Sequence, residues 1–149
     1  MPIVYVDADA VPRAIKEVLL RAAEKRGISL VFVANSWMRV PGYGDISFVQ
    51  VPAGPDEADN WIAEKAGDGD LVITQDVPLA ARVVPKGAAV IQTNGRVLDQ
   101  ESIDEALAMR DFAENLRDSG LQTGGPAPFS PKNKQAFSNA LDRWITKRR

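Results

Sequence analysis

Apolar residues fall into short runs separated by helical stripes along this chain. Ile3-Val4-Tyr5-Val6 is a compact run that stops at polar residues, as a buried parallel strand does. Ile15, Val18, Leu19 and Ala22 recur at helical spacing, with Pro12 ahead of them and Gly27 placed to end the helix. A second strand is predicted at Leu30-Val31-Phe32-Val33, and a Gly/Pro-rich loop leads to a third near Ile46–Val51. Pro52, Gly54 and Pro55 break that strand, and a helix is expected from about Asp56 to Gly67. Leu71-Val72-Ile73-Thr74 predicts a fourth strand, a short helix follows from Pro78, and Ala88–Gln92 is the fifth strand. After Asn94-Gly95 the chain is expected to be helical, with helices over about 101–118 and 131–147. The aromatic residues of these helices, with Trp61 and Trp144, are expected in the core.

Strands alternating with helices predict an α/β fold: one domain over 1–149, with a mainly parallel five-stranded sheet flanked by helices. In such sheets ligands bind beyond the carboxyl ends of the strands, at a switch in strand order. Asp7 and Asp9, Asn35 and Ser36, and Thr74, Gln75 and Asp76 all sit at such ends. Asp56 and Asp59 follow the third strand by one short loop.

Each carboxylate also has a structural reading. Asp9 could cap the next helix, but Pro12 would then stand at the third helical position with no N–H to offer. Asp7 has no cap to make, and a carboxylate closing an apolar strand is costly to desolvate without a cation. Asp76 could cap its helix, or join Asp7 if the first and fourth strands are neighbours. Asp56 and Asp59 share one face of a helical turn, where the helix dipole also welcomes acids.

Composition sharpens the chemistry. The 149 residues include no Cys and no His, which excludes disulfides, Cys nucleophiles, Cys/His zinc sites and Ser-His-Asp triads. Metal chemistry is left to hard cations on oxygen ligands, meaning Mg²⁺, Mn²⁺ or Ca²⁺, with the strand-end carboxylates as candidate donors and one or two Mg²⁺ or Mn²⁺ ions expected among them. Such an ion would offset the mutual repulsion of the carboxylates and activate a water for phosphoryl transfer. Asn35, Ser36, Thr74 and Gln75 are candidates for orienting substrate. Gly124 and Gly125 could offer backbone N–H groups to a phosphate, or form a bare turn. From Lys132 onward there are six basic residues and one acid, against 12 basic and 19 acidic residues before it. An acidic body with a basic tail is not the footprint of a plain duplex binder. No apolar run approaches the about 20 residues of a membrane span, and no signal-peptide pattern opens the chain, so a cytoplasmic location is expected.

Several segments, taken together, resemble a known family. VYVDADAVP at Val4–Pro12, GDLVITQDVPLA at Gly69–Ala80 with the KGA after it, and the later GGPAPF resemble the uncharacterised bacterial YaiI/YqxD family, classed as PIN-like. That resemblance implies a three-layer PIN-like fold shared with metal-dependent ribonucleases and flap-type nucleases. It also implies metal-binding roles for Asp7 and Asp76, with Asp9 and Asp59 as additions. Val11 stands where family members commonly have Cys, so no thiol chemistry is expected here.

Three functions follow as expectations. The first is a Mg²⁺- or Mn²⁺-dependent nuclease acting on RNA or single strands, with metal-bound water as nucleophile and Asp7, Asp9 and Asp76 as catalytic carboxylates. The second is a haloacid-dehalogenase-like phosphatase, whose first motif is also a strand followed by D-x-D. The third is a non-catalytic module binding nucleic acid or protein through its ion.

Overall fold

The computed structural model describes residues 2–118 and 129–147. The chain runs β1 (Ile3–Asp7), α1 (Arg13–Arg26), β2 (Ser29–Ala34), β3 (Asp45–Gln50), α2 (Glu57–Lys65), β4 (Leu71–Ile73) and α3 (Val77–Val83). A 3-10 turn at Val84–Lys86 leads to β5 (Ala89–Ile91), β6 (Val97–Leu98), α4 (Ile103–Asp118) and α5 (Pro131–Lys147). The sheet order is β3-β2-β1-β4-β5-β6, with only the β5–β6 pair antiparallel. The switch in order thus lies between β1 and β4, at the ends carrying Asp7 and Asp76.

Side-chain alternation sorts the sheet into two faces. Val4, Val6, Leu30, Phe32, Leu71 and Ile73 join the α1/α5 core, whereas Tyr5, Val33, Val72 and Val90 join the core with α2, α3 and α4. The result is the three-layer α/β architecture expected of a PIN-like domain. By the same alternation Asp7 belongs with Tyr5, on the α2/α3 side of the sheet.

Among the described residues the sheet has six strands, not five. Asn94-Gly95 does not open a helix; it is a tight reversal, with Gln92 N donating to Arg96 O at 2.8 Å and Gly95 N to Gln92 O at 2.9 Å. A turn of this Asn-Gly kind folds the chain back as a hairpin strand. Gly95 has φ +90°, and a Cβ there would stand 2.6 Å from the Ala136 carbonyl carbon on α5. Gly95→Ala is therefore expected to destabilise the protein by about 2–3 kcal/mol, from a strained backbone and an overpacked contact. A urea titration unchanged from that of the original chain would refute the expectation.

The helix aromatics divide. Phe137 is fully buried and Trp61 is half-buried, edge-on to Tyr5 at 6.0 Å between ring centroids. Trp144 is half-buried too, but Phe112 is 61% exposed, as is Met109 at 60%. On α4 the inward stripe is Ile103, Ala106 and Leu107, and Met109 and Phe112 lie off it.

Candidate metal centre

The opposite edge of the sheet shows what a structural carboxylate looks like here. Asp70, before β4, accepts Ile3 N–H and Gly67 N–H at 2.9 Å each, one on each oxygen. It ties two strand beginnings together and has little left to bind.

At the carboxyl edge the acids are less well satisfied. Asp7 ends the central strand and is 8% exposed, and Thr74 Oγ1 donates to its Oδ2 at 3.2 Å. Burial pushes its carboxyl pKa up, the Thr74 hydroxyl opposes this, and the charges of Asp9 and Asp76 add to the rise. Thr74 also accepts Asp76 N–H at 3.1 Å, so one buried hydroxyl fixes both acids relative to each other. Thr74, a candidate for orienting substrate or bound water, is fully buried and hydrogen-bonded to both Asp7 and Asp76.

Asp76 both caps and clusters. Its Oδ1 accepts Leu79 N–H at 2.9 Å, which closes the first turn of α3. Asp59, in the first turn of α2, faces it. Burial, the neighbouring Asp76 with which Asp59 shares a hydrogen bond, and the more distant Asp7 and Asp56 push the Asp59 carboxyl up to about 7. Three elements far apart in sequence therefore bring Asp7, Asp59 and Asp76 into one electrostatic neighbourhood.

The other candidates are placed differently. Asp9 is exposed, and its Oδ2 accepts Asn35 N–H at 2.8 Å, tying the first loop to the end of β2. It does not cap α1, whose cap position is Pro12. Asn35 and Ser36 are exposed at that rim, with Ser36 Oγ donating to Asn35 Oδ1 at 3.2 Å. Gln75 is exposed, and its Oε1 accepts Thr93 N–H at 2.7 Å, bracing the end of β5. Gly124 and Gly125 lie outside the described residues. Lys86, the lysine a phosphatase reading would need, donates to the carbonyl of Ala63 at 2.6 Å and so braces α2.

Among the described residues no group of three or more His, Cys, Asp or Glu side chains is gathered to hold a metal ion. The acids stand as neighbours rather than as a finished cage. Mg²⁺, however, is held through one or two carboxylates with waters and substrate phosphates completing its shell. All-oxygen donors, low charge compensation and pairwise approach fit Mg²⁺ or Mn²⁺ on Asp59 and Asp76, with Asp7 behind them.

Beside Asp59 and Asp76 opens a cavity of about 380 Å³, whose wall includes Asp56, Arg82 and Arg110. Neither arginine was singled out in the sequence. Arg110 had a legible signal: it stands seven residues after Ile103, where the inward stripe of α4 calls for an apolar side chain. Asp56, φ 65°, enters α2 in a left-handed conformation without a side-chain cap bond.

Comparison with known proteins agrees with the motifs. Residues 5–147 match the family model described as Uncharacterized BCR, YaiI/YqxD family. A UPF0178 protein of Saccharophagus degradans is 52% identical over 144 residues, 97% of this chain and 95% of its own length. One from Cellvibrio japonicus is 51% identical over 150 residues, covering 100% and 99%. One from Xanthomonas campestris is 46% identical over 144 residues, covering 97% and 90%. No solved structure matches the chain. With nearly its whole length matched in this way, the chain belongs to the YaiI/YqxD family.

Proposed function

We infer that the protein is a divalent-metal-dependent phosphodiesterase acting on RNA or other single-stranded nucleic acid. The observation that carries this reading is the convergence of Asp7, Asp59 and Asp76 from β1, α2 and the β4–α3 junction, with Asp59 pushed up to about 7. When bound, Mg²⁺ or Mn²⁺ supplies the Lewis acidity and acidified water that a chain without His and Cys lacks. Asp59 and Asp76 would hold the ion. Asp7, fixed by Thr74, keeps a buried negative charge beside it, and Asp9 braces the rim through Asn35.

A second support is the charge of the far helical layer. α1 carries Arg13, Lys16, Arg21, Lys25 and Arg26 against two acids, and α5 carries Lys132, Lys134, Arg143 and Lys147 against one. A groove of about 520 Å³ runs between these helices. That basic face suits the phosphate backbone of a strand and offsets the acidic remainder of the surface. Among the described residues no helix is long and apolar enough to cross a membrane.

The test is cleavage of a fluorescent single-stranded RNA by the purified protein. Cleavage is expected with Mn²⁺ and none with EDTA. A protein that binds Mn²⁺ calorimetrically yet turns over neither RNA, single-stranded DNA nor a phosphomonoester would be a binding module instead. Turnover of the phosphomonoester alone would establish the phosphatase reading.

A further inference from the structure

The cavity next to the acids combines two kinds of surface. Its inner side is acidic, with Asp59 and Asp76, and its outer wall carries Arg82 from α3 and Arg110 from α4. A purely structural arginine would be expected to turn toward those carboxylates and pair with them. These do not. Arg82 donates to Asn60 Oδ1 at 2.8 Å, and Arg110 pairs on its own helix with Glu114 at 3.0 Å and Asp111 at 3.8 Å. Asn60 is neutral, and the Arg110–Glu114 pair is an exposed i,i+4 pair of little strength, so both guanidinium groups keep donors for a further partner. Arg110 also shares the helical spacing of Ile103, Ala106 and Leu107, which brings its partly exposed charge to the wall of the cavity.

We propose that Arg82 and Arg110 form a phosphate clamp, which seats the phosphate of one nucleotide unit in this cavity beside the carboxylate pair. The inference deepens the phosphodiesterase reading and rests on it for the identity of the ligand. Guanidinium forks match phosphate oxygens in a bidentate manner, and two of them, on different helices, fix the group in orientation as well as position. The volume of about 380 Å³ is at the lower end of the roughly 300–1,000 Å³ of small-molecule pockets. It takes a single nucleotide unit and excludes a base pair, so the clamp selects single strands. Without a divalent ion the acidic inner side repels the phosphate that the arginines attract. The ion and the phosphate should therefore bind with positive coupling.

The experiment measures AMP and adenosine binding by calorimetry, with and without Mn²⁺, alongside Mn²⁺ binding alone. The proteins are the full chain, Arg82→Gln, Arg110→Gln, the double variant and Arg82→Lys. AMP is expected to bind only when Mn²⁺ is present, and adenosine far more weakly. Each Gln variant should lose about tenfold in AMP affinity and the double variant more, with Mn²⁺ affinity held within about twofold. Arg82→Lys should recover part of the loss, since it keeps the charge without the fork. Equal AMP affinity in the original chain and the double variant, or Mn²⁺ binding with no AMP binding at all, overturns the clamp and leaves the metal centre standing. AMP binding that ignores Mn²⁺ but is lost in the double variant upholds the clamp and overturns the metal centre. Thermal unfolding of each variant checks that both exposed arginines are removed without loss of fold.

Discussion

Asp7→Asn is expected to cut Mn²⁺-dependent cleavage of single-stranded RNA by about 100-fold or more while leaving the protein no less stable. The activity loss follows from position: Asp7 closes the central strand, and its charge adds to the rise at Asp59. Substitution of groups that support a metal site costs about 10–100-fold, and a charged member of the cluster belongs at the upper end. The stability half of the expectation has the opposite sign. Burial makes the Asp7 carboxylate unfavourable, and Asn keeps an oxygen for the Thr74 hydroxyl while removing the charge. Residues kept for structure lose stability on replacement; residues kept for chemistry against a desolvation cost gain it. Cleavage gels with Mn²⁺ and thermal unfolding in EDTA read the two halves separately, and undiminished cleavage would remove Asp7 from the site.

Asp59→Asn is expected to stabilise the metal-free protein at pH 8 and to have no effect near pH 4. An unperturbed Asp releases its proton near about 3.9 in the unfolded chain, whereas Asp59 in the folded protein does so at about 7. Between these values the folded chain binds more protons than the unfolded one, so stability falls as pH rises. The unfavourable contribution is absent below the lower value and complete above the higher. Asp59 is only half-buried, so solvent screening reduces the gain from removing it to about 1–2 kcal/mol, or about 3–6 °C in Tm. Mn²⁺ should raise the Tm of the original chain at pH 8 and raise that of Asp59→Asn much less. Parallel stability–pH curves for the two proteins would refute the coupling between Asp59 and its neighbours.

Much of this site could be read from the chain because strand ends are loud signals. Asp7 and Asp76 each follow an apolar run, and the order β2-β1-β4 brings those runs side by side. Thr74 was legible as a polar strand end, but its hydrogen-bond partners were not. Facing Asp7 across a strand pair is a matter of register, which periodicity within one strand does not contain. β6 escaped notice because two residues are too few to show alternation, although Asn94-Gly95 announced a turn. The helical period of α4 was plain, yet Met109 and Phe112 are exposed because the stripe that packs runs through Ile103, Ala106 and Leu107. Arg110 shares the spacing of that stripe, but only the placement of α4 beside α3 brings it to the wall of the cavity.

The central place of β1 has a further consequence, for synthesis rather than catalysis. β1 leaves the ribosome before its partners and finds β2 within 30 residues, but its other edge is closed only by β4, beginning at Leu71. At about 5–20 residues per second that edge stays open for several seconds. Val4, Tyr5 and Val6 thus present an apolar strand edge, with unpaired N–H and C=O groups, to every neighbouring nascent chain. Translation stalled between residues 35 and 70 would release a fragment prone to aggregate, and holding such an edge apart is work for a chaperone.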